Sequence, residues 1–266
     1  MTVTTLPDRA VVRVAGADAR GFLQGLLTND IDTLSLAHPL YAGLLSAQGK
    51  TLFDMMVFAD GDDILIDVAA ARAESLIRRL TMYRLRKAVT ITATQLVVLA
   101  GWGGDETGHT ADPRLPTLGA RWIAASDPEM RDAADAYTAH RLSHGIPDSA
   151  DIGEDQLLWL ETGADLLNGV SFTKGCYVGQ ENTARMHHRD KVRRRLVPLH
   201  IGAPTAETTI LDSAGRSAGT LRSRHGVTGI AHLRLDAAAG PLTICGSPAT
   251  ALRPAWLAAA LDAAAA

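Results

Sequence analysis

The character of the sequence changes near residue 190, and this change limits the fold more than any other feature. Beyond about residue 193, short β-type runs alternate with turns rich in Gly, Ser and Asp. These runs cover residues 195–201, 208–211, 218–222, 227–233 and 241–245. Several short strands at this spacing are typical of a small barrel or sandwich. The sequence therefore predicts a domain boundary near residue 190 and a β unit after it.

Before this boundary, strand and helix patterns alternate along the chain. Strands are predicted over residues 10–15, 40–46, 51–58, 64–68, 88–93 and 95–100, and helices over residues 17–27, 70–85 and 127–143. In the last helix, Asp127 is the expected cap and Pro128 lies in the first turn, with Met130 on the buried stripe. Residues 101–119 are rich in Gly, Pro, Thr and Asp, which favours a mobile excursion.

The composition is that of an ordinary globular protein of two or three structural units. The 266 residues are 47% hydrophobic and 21% charged, and the formal net charge of -3 excludes a chain that binds nucleic acid through bulk charge. The two cysteines, Cys176 and Cys245, lie far apart in sequence and fit a reducing cytoplasm better than a disulfide scaffold. No window reaches the run of about 18 apolar residues that a membrane helix needs. We therefore expect a cytoplasmic protein without a membrane partner.

The most unusual local segment surrounds Cys176. It reads Lys174-Gly175-Cys176-Tyr177-Val178-Gly179-Gln180-Glu181. A neighbouring ammonium group and free backbone N–H groups favour thiolate over thiol. The local chemistry leaves two interpretations open: a reactive, partly exposed cysteine in a tight loop, or a small residue fitted into a turn.

This segment, followed by Ala184-Arg185-Met186, resembles the signature of the YgfZ family of folate-binding proteins, which act in iron–sulfur cluster assembly and repair. Residues 12–19, 22–24 and 28–30 resemble the opening of the wider superfamily of the glycine-cleavage T-protein, an aminomethyltransferase. Residues 41–45, with the later Gly49 and Asp54, resemble it as well. The similarity spans most of the chain and is weakest at 101–119 and after Ala238.

The resemblance implies an α+β fold in which three domains form a ring, with a small β-barrel at the C-terminus. Residues 1–45 and 125–190 would form the first domain, and residues 46–124 would be inserted into it. Residues 191–266 would form the barrel. The central channel of such a ring would hold tetrahydrofolate or a one-carbon derivative of it.

Glu161 is the residue that the resemblance ties most directly to folate. The segment Leu160-Glu161-Thr162-Gly163 is similar to a T-protein segment whose glutamate binds the pterin. A carboxylate can accept both the ring N–H and the exocyclic amine of a pterin in a paired geometry. The alternative is a solvated glutamate at a helix end. The signature implies Tyr177, Gln180 and Arg185 as further folate contacts.

Asp54 is the candidate acid or base. The T-protein has two consecutive aspartates at this point, whereas this chain has Phe53-Asp54. Either the retained Asp54 is the active carboxylate or the transferase chemistry is absent, since an acid or base must reach the reacting nitrogen. The alternative is a strand residue at the end of a hairpin.

Cys176 and Lys174 are implied to form a functional pair beside the folate channel. Lys174 would lower the pKa of the thiol or contact an anionic group. A thiolate could bind iron or a cluster, but one cysteine cannot hold a cluster alone, so any such ligation must be shared with a partner. We interpret His187 and His188 as surface residues of a strand and Cys245 as a buried strand residue.

Positive charge is concentrated in Arg185, Arg189, Lys191, Arg193, Arg194 and Arg195, offset only by Asp190. Three interpretations remain open: a solvated edge strand, a rim that attracts the glutamate tail of folate, or a surface that attracts a nucleic-acid backbone. No aromatic residues interleave with the run, which disfavours base stacking.

The expected function is that of a tetrahydrofolate-binding accessory protein for assembly or repair of iron–sulfur clusters. Its expected partners are folate and iron–sulfur carrier or client proteins, with a cluster shared through Cys176. The alternatives are a one-carbon transferase like the T-protein and a binding protein related to tRNA modification. A shared fold does not fix the reaction.

Overall fold

The computed structural model describes residues 1–127, 129, 132–189 and 192–265. The strands before the predicted boundary are β1 Thr2–Thr5, β2 Arg9–Ala15, β3 Leu40–Leu45, β4 Thr51–Asp60, β5 Asp63–Ala69, β6 Thr90–Ala93, β7 Val97–Trp102 and β8 Ala120–Ala124. Those after it are β9 Arg194–Ile201, β10 Thr209–Asp212, β11 Ser217–His225, β12 Thr228–Arg234, β13 Leu242–Ile244 and β14 Ser247–Ala251. The helices are α1 Ala19–Gln24, α2 Ala73–Arg84, α3 Ala134–Ser143, α4 Ser149–Ile152, α5 Gln180–His188 and α6 Ala255–Ala265.

A five-stranded antiparallel sheet forms the centre of the N-terminal part, in the order β3-β4-β5-β2-β6. Helices α1 and α2 cover one face through Phe22, Leu23, Leu76 and Leu80. The other face carries Met56, Phe58 and Leu65 into a second core that contains Tyr41 and Trp159. Because both faces are covered, β4 is buried along most of its length, as its near-continuous apolar run indicates.

The division into domains stays a prediction, but the sheet continues across its first boundary. Strands β3 and β4 pair over Leu40–Leu45 and Thr51–Val57. A hairpin of this kind holds both strands in one sheet by direct backbone hydrogen bonds. The chain therefore does not leave one sheet for another between residues 45 and 46.

A three-stranded sheet in the order β1-β7-β8 packs beside the first. Neither β1 nor β8 was predicted: the four residues of β1 are too few for a clear alternation, and β8 follows the Gly- and Pro-rich segment. The interpretation of residues 101–119 as an excursion from the fold is wrong for its second half. Asp112 and Arg114 are buried there and joined by hydrogen bonds of 2.8 and 3.0 Å between the guanidinium and the carboxylate.

The C-terminal strands close into a barrel in the order β10-β11-β12-β9-β14-β13, which confirms the predicted barrel. Its interior is apolar, and α6 packs on it through Leu257 and Leu261. Strand β9 pairs with β12 on one side and β14 on the other. The interpretation of the basic run as part of an edge strand is therefore wrong, because barrel closure removes the edge.

Other local expectations are also corrected. Helix α3 begins at Ala134, well after the expected cap at Asp127. Pro128 and Met130 of that prediction, and Asp190 and Lys191 of the basic run, lie outside the described residues. Helix α5 was not predicted. Within the described ranges, no helix combines the length and apolar character needed to cross a membrane.

Candidate functional site

Asp54 lines a cavity of about 660 Å³ between the start of β4, the end of β5, α3 and α4. Successive strand residues face opposite sides, and Phe53 packs into the helix-covered core although it also borders the cavity beside Asp54. Its carboxylate accepts a hydrogen bond of 2.7 Å from the Ser149 hydroxyl. This volume lies in the range of small-molecule sites. Other polar residues on the wall include Arg72, Arg141 and Asp148.

Two of the carboxyl groups that line this cavity, Asp54 and Asp148, have pKa values displaced in opposite directions. Burial raises the pKa of Asp54, and the nearby Asp148 carboxylate raises it further against the attraction of Arg9. Burial would also raise the pKa of Asp148, but Arg9 and Arg141 hold it well below its ordinary value. Neighbouring carboxyls with separated pKa values can act as a proton donor beside a permanent anion.

A network of buried ion pairs, which the sequence did not predict, supports the cavity. Asp67 on β5 accepts hydrogen bonds from Arg9 Nε at 2.6 Å and from Arg121 Nε at 2.7 Å. Arg9 also reaches Asp148 at 3.3 Å and the Ser149 hydroxyl at 2.9 Å. The network therefore joins both sheets to the segment that positions Asp54. Its sequence signal is weak, because the strands that carry Arg9 and Asp67 each contain a second charged residue.

The signature loop lies elsewhere, against the turn between β3 and β4. Gly179 has a φ of +83°, and a Cβ there would stand 2.5 Å from the Ser46 carbonyl oxygen. Asn182 donates a hydrogen bond of 3.1 Å to the Gln48 carbonyl. The glycine is required because only it combines this φ with such a close approach. The loop is thus fixed in place while the Cys176 side chain stays exposed.

Lys174 anchors the same loop from the other end. Its ammonium donates hydrogen bonds of 2.8 and 2.5 Å to the carbonyl oxygens of Leu27 and Asn29. Burial lowers its pKa to about 8. The ammonium is thus committed to backbone carbonyls, and its predicted influence on the Cys176 thiol remains a prediction.

The remaining signature residues have structural contacts in this loop and its helix. Gln180 accepts a hydrogen bond of 3.1 Å from the Tyr177 N–H, which closes the start of α5. Arg185 is exposed on α5. His187 and His188 end this helix, so their interpretation as strand residues is wrong; His187 stacks on Phe172 with 3.7 Å between ring centroids.

Glu161 lies in a short 3₁₀ turn, Trp159–Thr162, that faces the barrel. Its Oε2 accepts a hydrogen bond of 3.1 Å from the Leu158 N–H and stands 3.6 Å from His232 Nε2 on β12. The side chain is 18% exposed, which contradicts the interpretation as a solvated glutamate. The buried His232 Nε2 has no hydrogen-bond partner among the described residues.

The predicted site residues therefore occupy three places. Asp54 lines the cavity, whereas neither Glu161 nor the signature residues Lys174, Cys176, Tyr177, Gln180 and Arg185 belong to its wall. Cys245 was predicted to be buried, but it is exposed at the turn between β13 and β14 with a φ of +49°. Across the described part of the chain, no group of three or more His, Cys, Asp and Glu residues could hold a metal ion.

Comparison with known proteins identifies relatives over nearly the whole chain. The iron–sulfur cluster assembly factor IBA57 of Mus musculus mitochondria is 32% identical, with 96% of this chain matching 85% of that protein. The mitochondrial IBA57 of Homo sapiens is 31% identical, with 91% of this chain matching 80% of that protein. The family model described as the CAF17 C-terminal beta-barrel domain matches residues 193–259.

The fold matches that of the glycine cleavage system aminomethyltransferase T from Bartonella henselae. The TM-score is 0.76 at 15% sequence identity, and the match covers 97% of this chain and 86% of that one. The predicted α+β fold of the aminomethyltransferase type is therefore confirmed. At this identity the likeness concerns the fold alone.

The predicted cytoplasmic location is contradicted by the same comparison, because the two relatives are mitochondrial proteins. Two distant, unpaired cysteines indicate a reducing environment. They carry no information that distinguishes one reducing compartment from another.

Proposed function

The chain belongs to the family of the iron–sulfur cluster assembly factor IBA57, and we propose that it serves the assembly or repair of iron–sulfur clusters in client enzymes. The observation that carries the proposal is the exposed Cys176 on a loop fixed by Lys174 and Gly179. A thiol presented on a fixed loop can approach a cluster held by another protein without rearrangement of the backbone.

The proposed role of Cys176 is to supply one ligand to a cluster in transit. Clusters are held by about four ligands, so the others would come from an iron–sulfur carrier or client protein. The cluster is then cargo, and the protein binds it only together with its partner.

Tetrahydrofolate, or a one-carbon derivative, is the proposed small-molecule ligand, and the cavity beside Asp54 suits a compound of this class. A pterin presents adjacent N–H donors, which a carboxylate accepts in pairs. Asp54 Oδ1 accepts from Ser149, and among the described residues no protein donor reaches Oδ2. Arg72 and Arg141 on the same wall are each paired with a carboxylate, Glu154 at 2.7 Å and Asp151 at 3.0 Å. When bound, folate would supply a carrier for one-carbon groups.

The YgfZ-type assignment of the signature belongs to this proposal, together with the roles of Glu161, Tyr177, Gln180 and Arg185 at folate. For Glu161, Oε2 already accepts from the Leu158 N–H, and pterin donors would use the remaining lone pairs of its carboxylate. The unpartnered His232 Nε2 beside it supports a polar ligand at this interface.

An anaerobic tetrahydrofolate titration separates the two locations. We expect saturable binding by the wild type. If folate lies beside Asp54, Asp54→Asn should weaken it by about tenfold or more, as for a lost hydrogen bond to a charged group, while Glu161→Gln should bind normally. The reverse pattern would place the pterin at Glu161. No binding by the wild type would contradict the folate proposal.

A complementation experiment tests the thiol. Cys176→Ser should fold and bind folate normally but fail to restore iron–sulfur enzyme activity in cells that lack the protein. Cys245→Ser is the matched control, since this cysteine is exposed as well. Restoration by Cys176→Ser to the wild-type level would refute the role of the thiol.

A one-carbon transferase is the second candidate, favoured by the buried Asp54 with its raised pKa. A carboxyl whose pKa is raised holds a proton more readily and can donate it to a reacting nitrogen. The test is formation of methylene-tetrahydrofolate from an aminomethyl donor. Turnover that falls at least about a hundredfold in Asp54→Asn would support it.

A further inference from the structure

A second concavity of about 940 Å³ lies where α5, β9, β12 and α6 meet. We name it the arginine cavity because Arg193, Arg194, Arg195 and Arg234 line it, together with His187. Alanines of α6 form its apolar wall. Nothing in the proposed chemistry at Asp54 or Cys176 accounts for this concentration of positive charge.

Two of the four arginines are paired with carboxylates. Arg195 is held by Asp165 through two hydrogen bonds of 2.6 and 2.8 Å. Arg234 contacts Asp236 at 3.1 Å and Asp212 at 3.2 Å. For Arg193 and Arg194, the described residues provide no carboxylate within ion-pair distance. The positive charge in excess therefore lies at the start of β9.

The strand register places Arg194 on β9 directly opposite Arg234 on β12. Like charges directly opposite one another destabilise a sheet pair. Asp212 and Asp236 offset the charge of Arg234, so the uncompensated charge of this pair is that of Arg194. Along the chain, residues 185–195 contain six basic residues and one acidic residue, although the whole protein has a net charge of -3. The basic surface is thus local and opposed to the overall charge.

The arginine cavity is also close to the signature thiol. Helix α5 begins at Gln180, just after the Cys176 loop, and its end contributes His187 to the cavity. At 1.5 Å per residue, its nine residues span only about 13 Å. A typical protein interface covers about 800 Å² on each partner, which is enough to include both features. A small anion bound in the arginine cavity would not extend to Cys176.

We propose that the arginine cavity docks an acidic segment of the protein that exchanges its iron–sulfur cluster with Cys176. This inference rests on the proposed function and identifies the class of partner. Charge complementarity captures the partner and orients its cluster toward the thiol. The same attraction raises the association rate and weakens as salt screens it.

The direct test uses a fluorescein-labelled peptide of glutamate residues as the probe for an acidic segment. Binding is measured for the full chain, for Arg193→Glu/Arg194→Glu, and for Arg86→Glu/Lys87→Glu, a control pair of exposed basic residues in the turn between α2 and β6 with the same change in charge. We expect at least about a tenfold loss of affinity in the cavity variant and little loss in the control. Arg193→Gln/Arg194→Gln serves if the charge reversal disturbs folding.

Competition identifies the kind of ligand. Inorganic phosphate, added to the same total negative charge as the peptide, should displace the peptide poorly. A single-stranded RNA oligonucleotide should bind more weakly than the peptide. Equal binding by all variants would overturn the proposal. Efficient displacement by phosphate would overturn it in favour of a small-anion site, and tighter RNA binding lost in the cavity variant would overturn it in favour of nucleic acid.

Complementation separates failure of this inference from failure of the proposed function. At low expression, Arg193→Glu/Arg194→Glu should restore iron–sulfur enzyme activity less well than the wild type, and high expression should compensate because docking follows mass action. Cys176→Ser should fail at every level. Full restoration by the arginine variant at low expression, with failure of Cys176→Ser, would overturn docking alone. Full restoration by Cys176→Ser would overturn the proposed function.

Discussion

The cavity beside Asp54 and the arginine cavity are both lined by charged side chains, but these charges are compensated to different extents. Around Asp54, Arg9 and Arg121 are buried and meet Asp67 from separate strands. In the arginine cavity, Arg193 is exposed and Arg194 faces another arginine across the sheet. Buried charges must be compensated within the protein, whereas exposed charges remain available to bind a partner. The first region therefore fixes the fold, and the second suits recognition.

The largest effect is expected at the buried network. Asp67→Asn leaves the guanidinium groups of Arg9 and Arg121 without their shared carboxylate, and we expect a loss of about 3–5 kcal/mol in the free energy of unfolding. Urea denaturation measures it. Asp63→Asn is the control, because its partner Arg13 is a partly exposed residue and such pairs contribute about 0.2–1 kcal/mol. Similar losses in the two variants would remove the distinction between the regions.

The next effect concerns the backbone that presents Cys176. Gly179→Ala combines an unfavourable φ with a contact to the Ser46 carbonyl oxygen, so we expect a loss of about 1–3 kcal/mol in the free energy of unfolding. Gly175→Ala is the control, since no atom lies within 4 Å of its Cβ position. If both variants lose the same free energy of unfolding, Gly179 does not fix the loop near the arginine cavity. That region would then differ even more from the buried ion-pair network around Asp67.

A smaller, pH-dependent effect is expected at Asp54. Its pKa is raised in the folded state, chiefly by burial, so the folded state holds this proton more tightly than the unfolded state. This contribution to stability is present below the ordinary value of 3.8 and is lost as the pH rises through the raised pKa.

Asp54→Asn should therefore gain stability relative to the wild type as the pH rises above 3.8. Unfolding free energies measured at several pH values for both proteins give this difference. A difference that stays constant or reverses would mean that the Asp54 carboxyl is not penalised by burial, and the first region would then resemble the second.

The smallest effect is expected at Lys174. Burial lowers its pKa from 10.5 to about 8, so the unfolded state binds its proton more tightly than the folded state. Stability contributed by this group should rise between about pH 8 and 10.5. Lys174→Met should lack this rise, as followed by thermal unfolding across that range. An unchanged pH profile would count against burial of the ammonium.

The sequence supported the barrel and most strands because their signals are local. The alternation in β2, the Asp60-Gly61 turn and the short runs after residue 193 each lie within a few residues. The short strand β1 and helix α5 were missed because four or nine residues carry little periodicity. The signature identified an unusual loop, but not that Lys174 is directed to the carbonyls of Leu27 and Asn29.

The sequence by itself determined the strand-rich C-terminal unit and the resemblance of the fold to the aminomethyltransferase superfamily. It also marked Asp54 and Cys176 as unusual residues. Only the tertiary structure decided which charges meet. Arg9 contacts Asp148 across a separation of 139 residues, and Arg195 contacts Asp165 across 30. Local patterns fix periodicity, but the pairing of a buried charge depends on which distant elements pack together. For this reason the same residue type stabilises the core at Arg9 and is left for a partner at Arg193.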